Sequence, residues 1–141
     1  MSGLTQSQLD LKEDVVKNLL DEPVQKYLKT ATINEMMTRS YNLIFHQIDI
    51  NAGNQIAVKD AIYAISAWYC FGTYGQSVSN SLQLQDVGAF RANLMHYKEV
   101  AQQFASLIGI NLDKSNIPPV DDPIAVIDTG RSLLNEQDVS G

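Results

Sequence analysis

Residues 83–109 read QLQDVGAFRANLMHYKEVAQQFASLIG, and this stretch decides the fold. Val87, Phe90, Leu94, Tyr97, Ala101, Phe104 and Ile108 follow one another in steps of three and four residues. That spacing keeps them on one face of an α-helix over about six turns, and Gly109 stands where a helix ends in the left-handed conformation. The stretch predicts a long helix over about 83–108. A stripe of this kind fits the core seam of a bundle better than a coiled-coil surface.

Upstream, Val58, Ala61, Ile62, Ile65, Trp68 and Tyr69 predict a second helix over about 55–71. Its second half, Ala61 to Phe71, is almost wholly apolar or small, so it needs cover on more than one side and belongs at the centre of the fold. Between the two helices, residues 72–81 are rich in Gly, Ser and Asn and read as a loop. Ile33, Met37, Tyr41, Ile44 and Ile48 predict a helix over about 33–50, opened by the capping-box spacing of Thr32 and Glu35 and closed by Asn51-Ala52-Gly53-Asn54. Nearer the N-terminus, Thr5 and Gln8 have the same spacing. Leu11, Val15 and Leu19, beside Val16 and Leu20, extend that start into one amphipathic helix ending near Asp21. Pro23 interrupts it, and Val24, Tyr27 and Leu28 suggest a short further helix.

The pattern changes at Ile110. Residues 111–123 contain Pro118, Pro119 and Pro123 among polar and acidic residues and have no helical period. Ile124-Ala125-Val126-Ile127, the turn-like Asp128-Thr129-Gly130 and Ser132-Leu133-Leu134 permit a small β-hairpin. The fold class expected is therefore mainly α: a bundle of four to five helices over 1–109 with an extended acidic arm over 110–141.

At 141 residues the chain has room for one domain and one core. Sixteen acidic against ten basic residues give a net charge of −6, which disfavours binding by release of phosphate counterions. The arm carries two bases and six acids, so most of the imbalance lies there. No apolar run reaches the roughly 18 residues of a membrane span, and the N-terminal residues lack the pattern of a signal peptide. The single cysteine, Cys70, cannot form an internal disulfide and fits a reducing compartment.

Few residue groupings point to chemistry. Asp128-Thr129-Gly130 after an apolar strand is similar to the catalytic turn of aspartic proteases over seven residues, but the eleven residues beyond it cannot build the remaining scaffold. His46 and His96 stand alone on their helices, so neither has the partners of a metal site. Cys70 sits in an apolar run, as a buried thiol does. Gly72-Thr73-Tyr74-Gly75 lacks the lysine and preceding strand of a phosphate loop. Tyr63, Trp68, Tyr69, Phe71 and Tyr74 form either a core wall or, on a second reading, a ligand pocket. These residues name no catalytic, cofactor or metal site, and we expect a protein that is not an enzyme.

The arm is the better functional candidate. A polar, proline-containing segment buries too little apolar surface to order by itself, so it either lies on a neighbour or folds back on its own bundle. Its apolar anchors would be Ile117, Pro118, Pro119, Val120, Ile124, Val126, Ile127, Leu133 and Leu134, with strand addition open to 124–127.

Taken together, the alanine-containing aromatic helix Asp60-Ala61-Ile62-Tyr63-Ala64-Ile65-Ser66-Ala67-Trp68-Tyr69, the Tyr74-Gly75 turn, the long helix through Phe90 and Tyr97 and the C-terminal arm resemble the small, mainly helical head-to-tail connector (adaptor or head-completion) proteins of tailed bacteriophages. That resemblance, over about residues 33–141, implies a structural virion protein at the neck, assembled in the host cytoplasm. It would form a homo-oligomeric ring beneath the portal, with C-terminal arms docked on portal, tail or neck proteins. DNA would pass without sequence-specific binding, helped by the acidic balance. The alternative is a cellular α-helical module that binds a protein or peptide through the aromatic cluster near Trp68 and Tyr74.

Overall fold

The computed structural model describes residues 3–78 and 84–112, with backbone alone at 76–78 and 84–87. Six helices form the regular structure of these residues: α1 (Gln6–Leu9), α2 (Glu13–Asn18), α3 (Glu22–Tyr27), α4 (Thr30–Phe45), α5 (Gln55–Val78) and α6 (Leu84–Leu107). The chain is mainly α, as its periodicity requires. The residues expected to form a hairpin, and the anchors Ile117, Pro118, Pro119, Val120, Ile124, Val126, Ile127, Leu133 and Leu134, lie outside the described residues.

α5 is the central element, packed against α4 and α6 and crossed by α2 and α3. From Ala61 to Phe71 only Tyr63 and Trp68 are not fully buried. Small residues at Ala61, Ala64 and Ala67 let neighbouring helices approach closely, and Ile62, Ile65 and Tyr69 fill the space between them. One polar contact crosses this core: Ser66 Oγ donates to Ser40 Oγ at 3.0 Å, and Ser40 Oγ donates to the Met36 carbonyl at 2.9 Å. The pair is satisfied without water, so it fixes the register of α4 on α5 at little cost.

The N-terminal segment is two helices rather than the single one its spacing predicts. The Thr5 capping box forms, with the Gln8 amide donating to Thr5 Oγ1 and the Thr5 amide donating to Gln8 Oε1. The helix then stops at Asp10, whose φ of 52° is left-handed. Asp tolerates that conformation better than most side chains. Beyond the break, the Lys12 amide donates to the Tyr63 hydroxyl at 3.1 Å, which fastens the linker to α5. The break also divides the apolar stripe. Leu9, Val16 and Leu20 are buried, whereas Val15 and Leu19 point outward, 38% and 49% exposed. Replacing Asp10 with Gly should raise stability by up to about 1 kcal/mol in urea melts, because glycine takes a positive φ without steric cost and the Asp10–Lys12 ion pair is a solvated surface contact.

α3 forms where expected, with Pro23 in its first turn, although Tyr27 is half-exposed rather than core. α4 begins at Thr30, so Thr32 lies inside the helix and is not its cap. It ends at Phe45, earlier than the periodicity suggests. The stop at 51–54 does form: Asn51 Oδ1 accepts from the Gly53 and Asn54 amides, while Asn54 Oδ1 accepts from the Asn51 amide. Two side chains thus reinforce the turn's own bond from the Asn54 amide to the Asn51 carbonyl.

The larger correction concerns residues 72–78, which continue α5 instead of forming a loop. Gly72 and Gly75 are buried inside the helix. Each costs about 1 kcal/mol relative to alanine in helix propensity, but Phe71 and Tyr74 on this turn pack into an aromatic junction that holds it helical. α6 matches its predicted span. Gly109, at φ 79°, reverses the chain through paired bonds, Gly109 amide to Ser106 carbonyl and Ile110 amide to Ala105 carbonyl. The reversed chain returns to the core, where Ile110 and Leu112 are 2% and 1% exposed.

Candidate functional site

The aromatic residues singled out from the sequence do not converge on one pocket. Tyr63 faces the α1–α2 linker through its hydroxyl. Tyr69 and Phe71 are core. Trp68 and Tyr74 are six residues apart on α5, about 120° around its axis, so they serve different faces. Tyr74 joins a junction that binds three helices: Tyr27 of α3 meets it edge-on at 5.4 Å, and Phe71 stacks on Phe90 of α6 at 4.6 Å and lies 4.8 Å from Tyr97. Offset and edge-to-face pairs of this kind add to the burial energy of the rings. Trp68, half-buried, instead faces Lys98, whose Nζ is 5.9 Å from the indole centroid. Phe90, Tyr97 and Tyr27 are not legible as partners of Phe71 and Tyr74 in the sequence because they are distant in the chain.

The remaining candidates stay apart. His46 and His96 are exposed on α4's C-terminal cap and on α6, each beside a neighbouring ring. Among the described residues no group of three His, Cys, Asp or Glu side chains could hold a metal ion. Cys70 is fully buried, and desolvation pushes its thiol up to about 12. Such a thiol is protonated at neutral pH and unreactive. Because the folded value lies above the ordinary 9.0, this group favours folding below pH 9 and that contribution fades as pH rises toward 12. Urea midpoints should therefore fall between pH 8 and pH 10.5. Asp128-Thr129-Gly130 lies outside the described residues.

Two further features were not legible in the sequence. A shallow groove of about 410 Å³ between α1 and α4 is lined by Gln6, Ser7, Asp10, Leu11, Asn34 and Met37. Gln6 bonds Thr38 and Asn34 bonds Glu13 beside it, so these polar groups already have protein partners. Tyr69 is 1% exposed, and its hydroxyl has no hydrogen-bond partner among the described residues. An unpaired buried hydroxyl costs about 1–3 kcal/mol, so Tyr69→Phe should leave stability unchanged or raise it by about 1 kcal/mol in a thermal melt.

On the outside, several large apolar side chains are exposed. Val15, Leu19 and Tyr27 lie on the α2–α3 side; Ile56, at the start of α5, and Leu107, at the end of α6, are 78% and 73% exposed at one end of the antiparallel α5–α6 pair. Met95 on α6 is 55% exposed. No helix of the described residues is long and apolar enough to cross a membrane.

Compared with protein-family models, with characterised proteins and with solved structures, the chain matches none.

Proposed function

We propose that this chain is a non-enzymatic assembly protein, a head-to-tail connector of a tailed-phage virion that forms a ring at the neck and docks its neighbours through its C-terminal arm. The observation that carries the reading is the exposure of large apolar side chains on different elements, Val15, Leu19 and Tyr27 on α2–α3 and Ile56 and Leu107 at the start of α5 and the end of α6, on a body whose core is filled without them. A ring of identical subunits closes through heterologous contacts, each joining one patch of a protomer to a different patch of the next. The exposed Ile56 and Leu107, together with Val15, Leu19 and Tyr27 on α2–α3, supply apolar contacts for such an arrangement. The acidic arm, with four apolar residues at 124–127, is the segment proposed to contact neighbouring proteins.

The test is charge substitution at these side chains. Leu19→Asp and Ile56→Asp lie on the surface and should change stability by less than about 0.5 kcal/mol. Each should abolish ring formation, alone or on a portal, as read by sedimentation velocity. Assembly at wild-type levels in both variants would refute the proposed contacts.

A second reading, a peptide-binding module, draws on Tyr27, a half-exposed ring fixed edge-on to Tyr74. A partner bound through this ring would be lost in Tyr27→Ala without any change in oligomeric state.

A further inference from the structure

From Leu4 to Glu22 the chain contains neither glycine nor proline, yet its helix breaks in the middle. Asp10 takes a left-handed φ of 52°, and Lys12 is extended at φ −110° and ψ 123°. Leu11 and Lys12 are good helix formers, and the left-handed conformation is disfavoured for any residue with a Cβ. Nothing local therefore stops a helix here. Contacts with the rest of the chain impose the break.

Those contacts are few, and most grip backbone atoms. The Leu4 amide donates to the Ile50 carbonyl at 2.9 Å, and the Tyr41 hydroxyl donates to the Leu4 carbonyl at 2.7 Å. Gly3 lies so near Phe45 that a Cβ there would meet the ring at 3.1 Å. Gln6 Nε2 donates to Thr38 Oγ1 at 3.0 Å, and the Lys12 amide donates to the Tyr63 hydroxyl at 3.1 Å. Of residues 3–12 only Leu9 is fully buried. The Asp10–Lys12 ion pair at 2.9 Å also belongs to the bent form, since residues two apart on a helix do not face each other.

The alternative to the bend has a defined geometry. With Asp10, Leu11 and Lys12 helical, α1 and α2 merge into one helix over 6–18. Glu13 and Asp14, the first two residues of α2, have amides without an intrahelical acceptor; in the merged helix these donate to the Leu9 and Asp10 carbonyls. Leu11 then stands one turn before Val15 and two before Leu19, both exposed. Val16 and Leu20 are buried and hold α2 on the body. Straightening therefore lifts residues 3–9 off α4 and breaks the Leu4 bonds.

We propose that residues 3–12 are a strap with two states, one bent against α4 and the α4–α5 turn and fastened by Tyr41, Tyr63 and Leu9, the other straightened as a continuation of α2. The strap is a property of a single chain, so it does not rest on the connector reading. Its consequence is that opening releases Leu9 from the core and extends the apolar line of α2 by a turn, under the control of two tyrosine hydroxyls.

Lys12 reports the two states, because its Cα chemical shift takes opposite offsets in extended and helical backbone. In the full-length protein, Asp10→Ala with Tyr41→Phe and Tyr63→Phe makes the left-handed residue costlier and removes two fasteners, which should raise the straight population about a hundredfold. The Lys12 Cα should move from extended to helical values, with faster amide exchange at Leu4 and slower exchange at Glu13 and Asp14. Asp10→Gly alone, which favours the bend, should keep Lys12 extended. A Lys12 that stays extended in the triple variant would overturn the proposal. So would a shift only to random-coil values with Glu13 and Asp14 unprotected, which describes a strap that frays without straightening. Should the signals of α5 collapse in the triple variant, Asp10→Ala alone is read by saturation-transfer NMR, which detects minor states exchanging in milliseconds. A minor state with helical Lys12, more populated than in Asp10→Gly, is expected there, and its absence would overturn the proposal equally.

Discussion

Phe71→Ala should destabilise the protein by about 3–5 kcal/mol, the largest effect expected of any single truncation in the core. Phe71 is 3% exposed and touches rings from both flanking directions: Phe90 at 4.6 Å, Tyr97 at 4.8 Å and Tyr74 at 6.1 Å. Removing it deletes buried apolar area and leaves a cavity that three rigid rings cannot easily collapse. The loss should extend past local packing. The last two turns of α5 contain Gly72 and Gly75, and their helicity depends on the junction that Phe71 anchors. We therefore expect a lower urea midpoint together with reduced far-UV helicity before the main transition. A midpoint shift below about 1 kcal/mol would mean that the junction does not hold the α5–α6 pair together.

Truncation at the start of the arm should have the second-largest effect. A chain ending at Gly109 should be less stable than one ending at Leu112 by about 3 kcal/mol or more, from two buried side chains. Ile110 and Leu112 are 2% and 1% exposed, and removing them also leaves the Gln102 side chain without its backbone partners. Thermal melts of the two truncations compare like with like, since they differ by three residues. Equal melting temperatures would mean that the returning turn adds nothing to the core.

The sequence announced the elements whose burial is periodic. α6 could be read almost to the residue, because one face stays apolar for about six turns and Gly109 marks the reversal that ends it. The centre of α5 was equally plain, since an all-round apolar helix can only be internal. Where local chemistry competed with tertiary packing, the reading failed. Gly72 and Gly75 signal a turn by propensity, and only the positions of Phe90, Tyr97 and Tyr27, distant in sequence, explain why the helix continues. The break at Asp10 was hidden because the spacing of Leu11, Val15 and Leu19 runs straight across it. A hydrogen bond from Lys12 to Tyr63, fifty-one residues away, marks where the chain departs from that pattern.

The same limits apply to the candidate site. Exposure is a property of the assembled body, so the outward turn of Val15 and Leu19 could not be foreseen from a stripe that spacing assigned to the core. Pairing Trp68 with Tyr74 was natural for residues six apart, yet helical geometry sends them to different neighbours, Lys98 and Tyr27. Cys70 was correctly read as a buried thiol because its flanking residues are apolar on both sides.

Ring assembly is the proposed role of this body. Native mass spectrometry of the full-length chain, alone and then with portal-type rings, tests it most directly. The expected result is a closed homo-oligomer, either free or formed on the portal ring, that disappears in the Ile56→Asp variant. A chain that stays monomeric at every concentration and ignores such rings would contradict it.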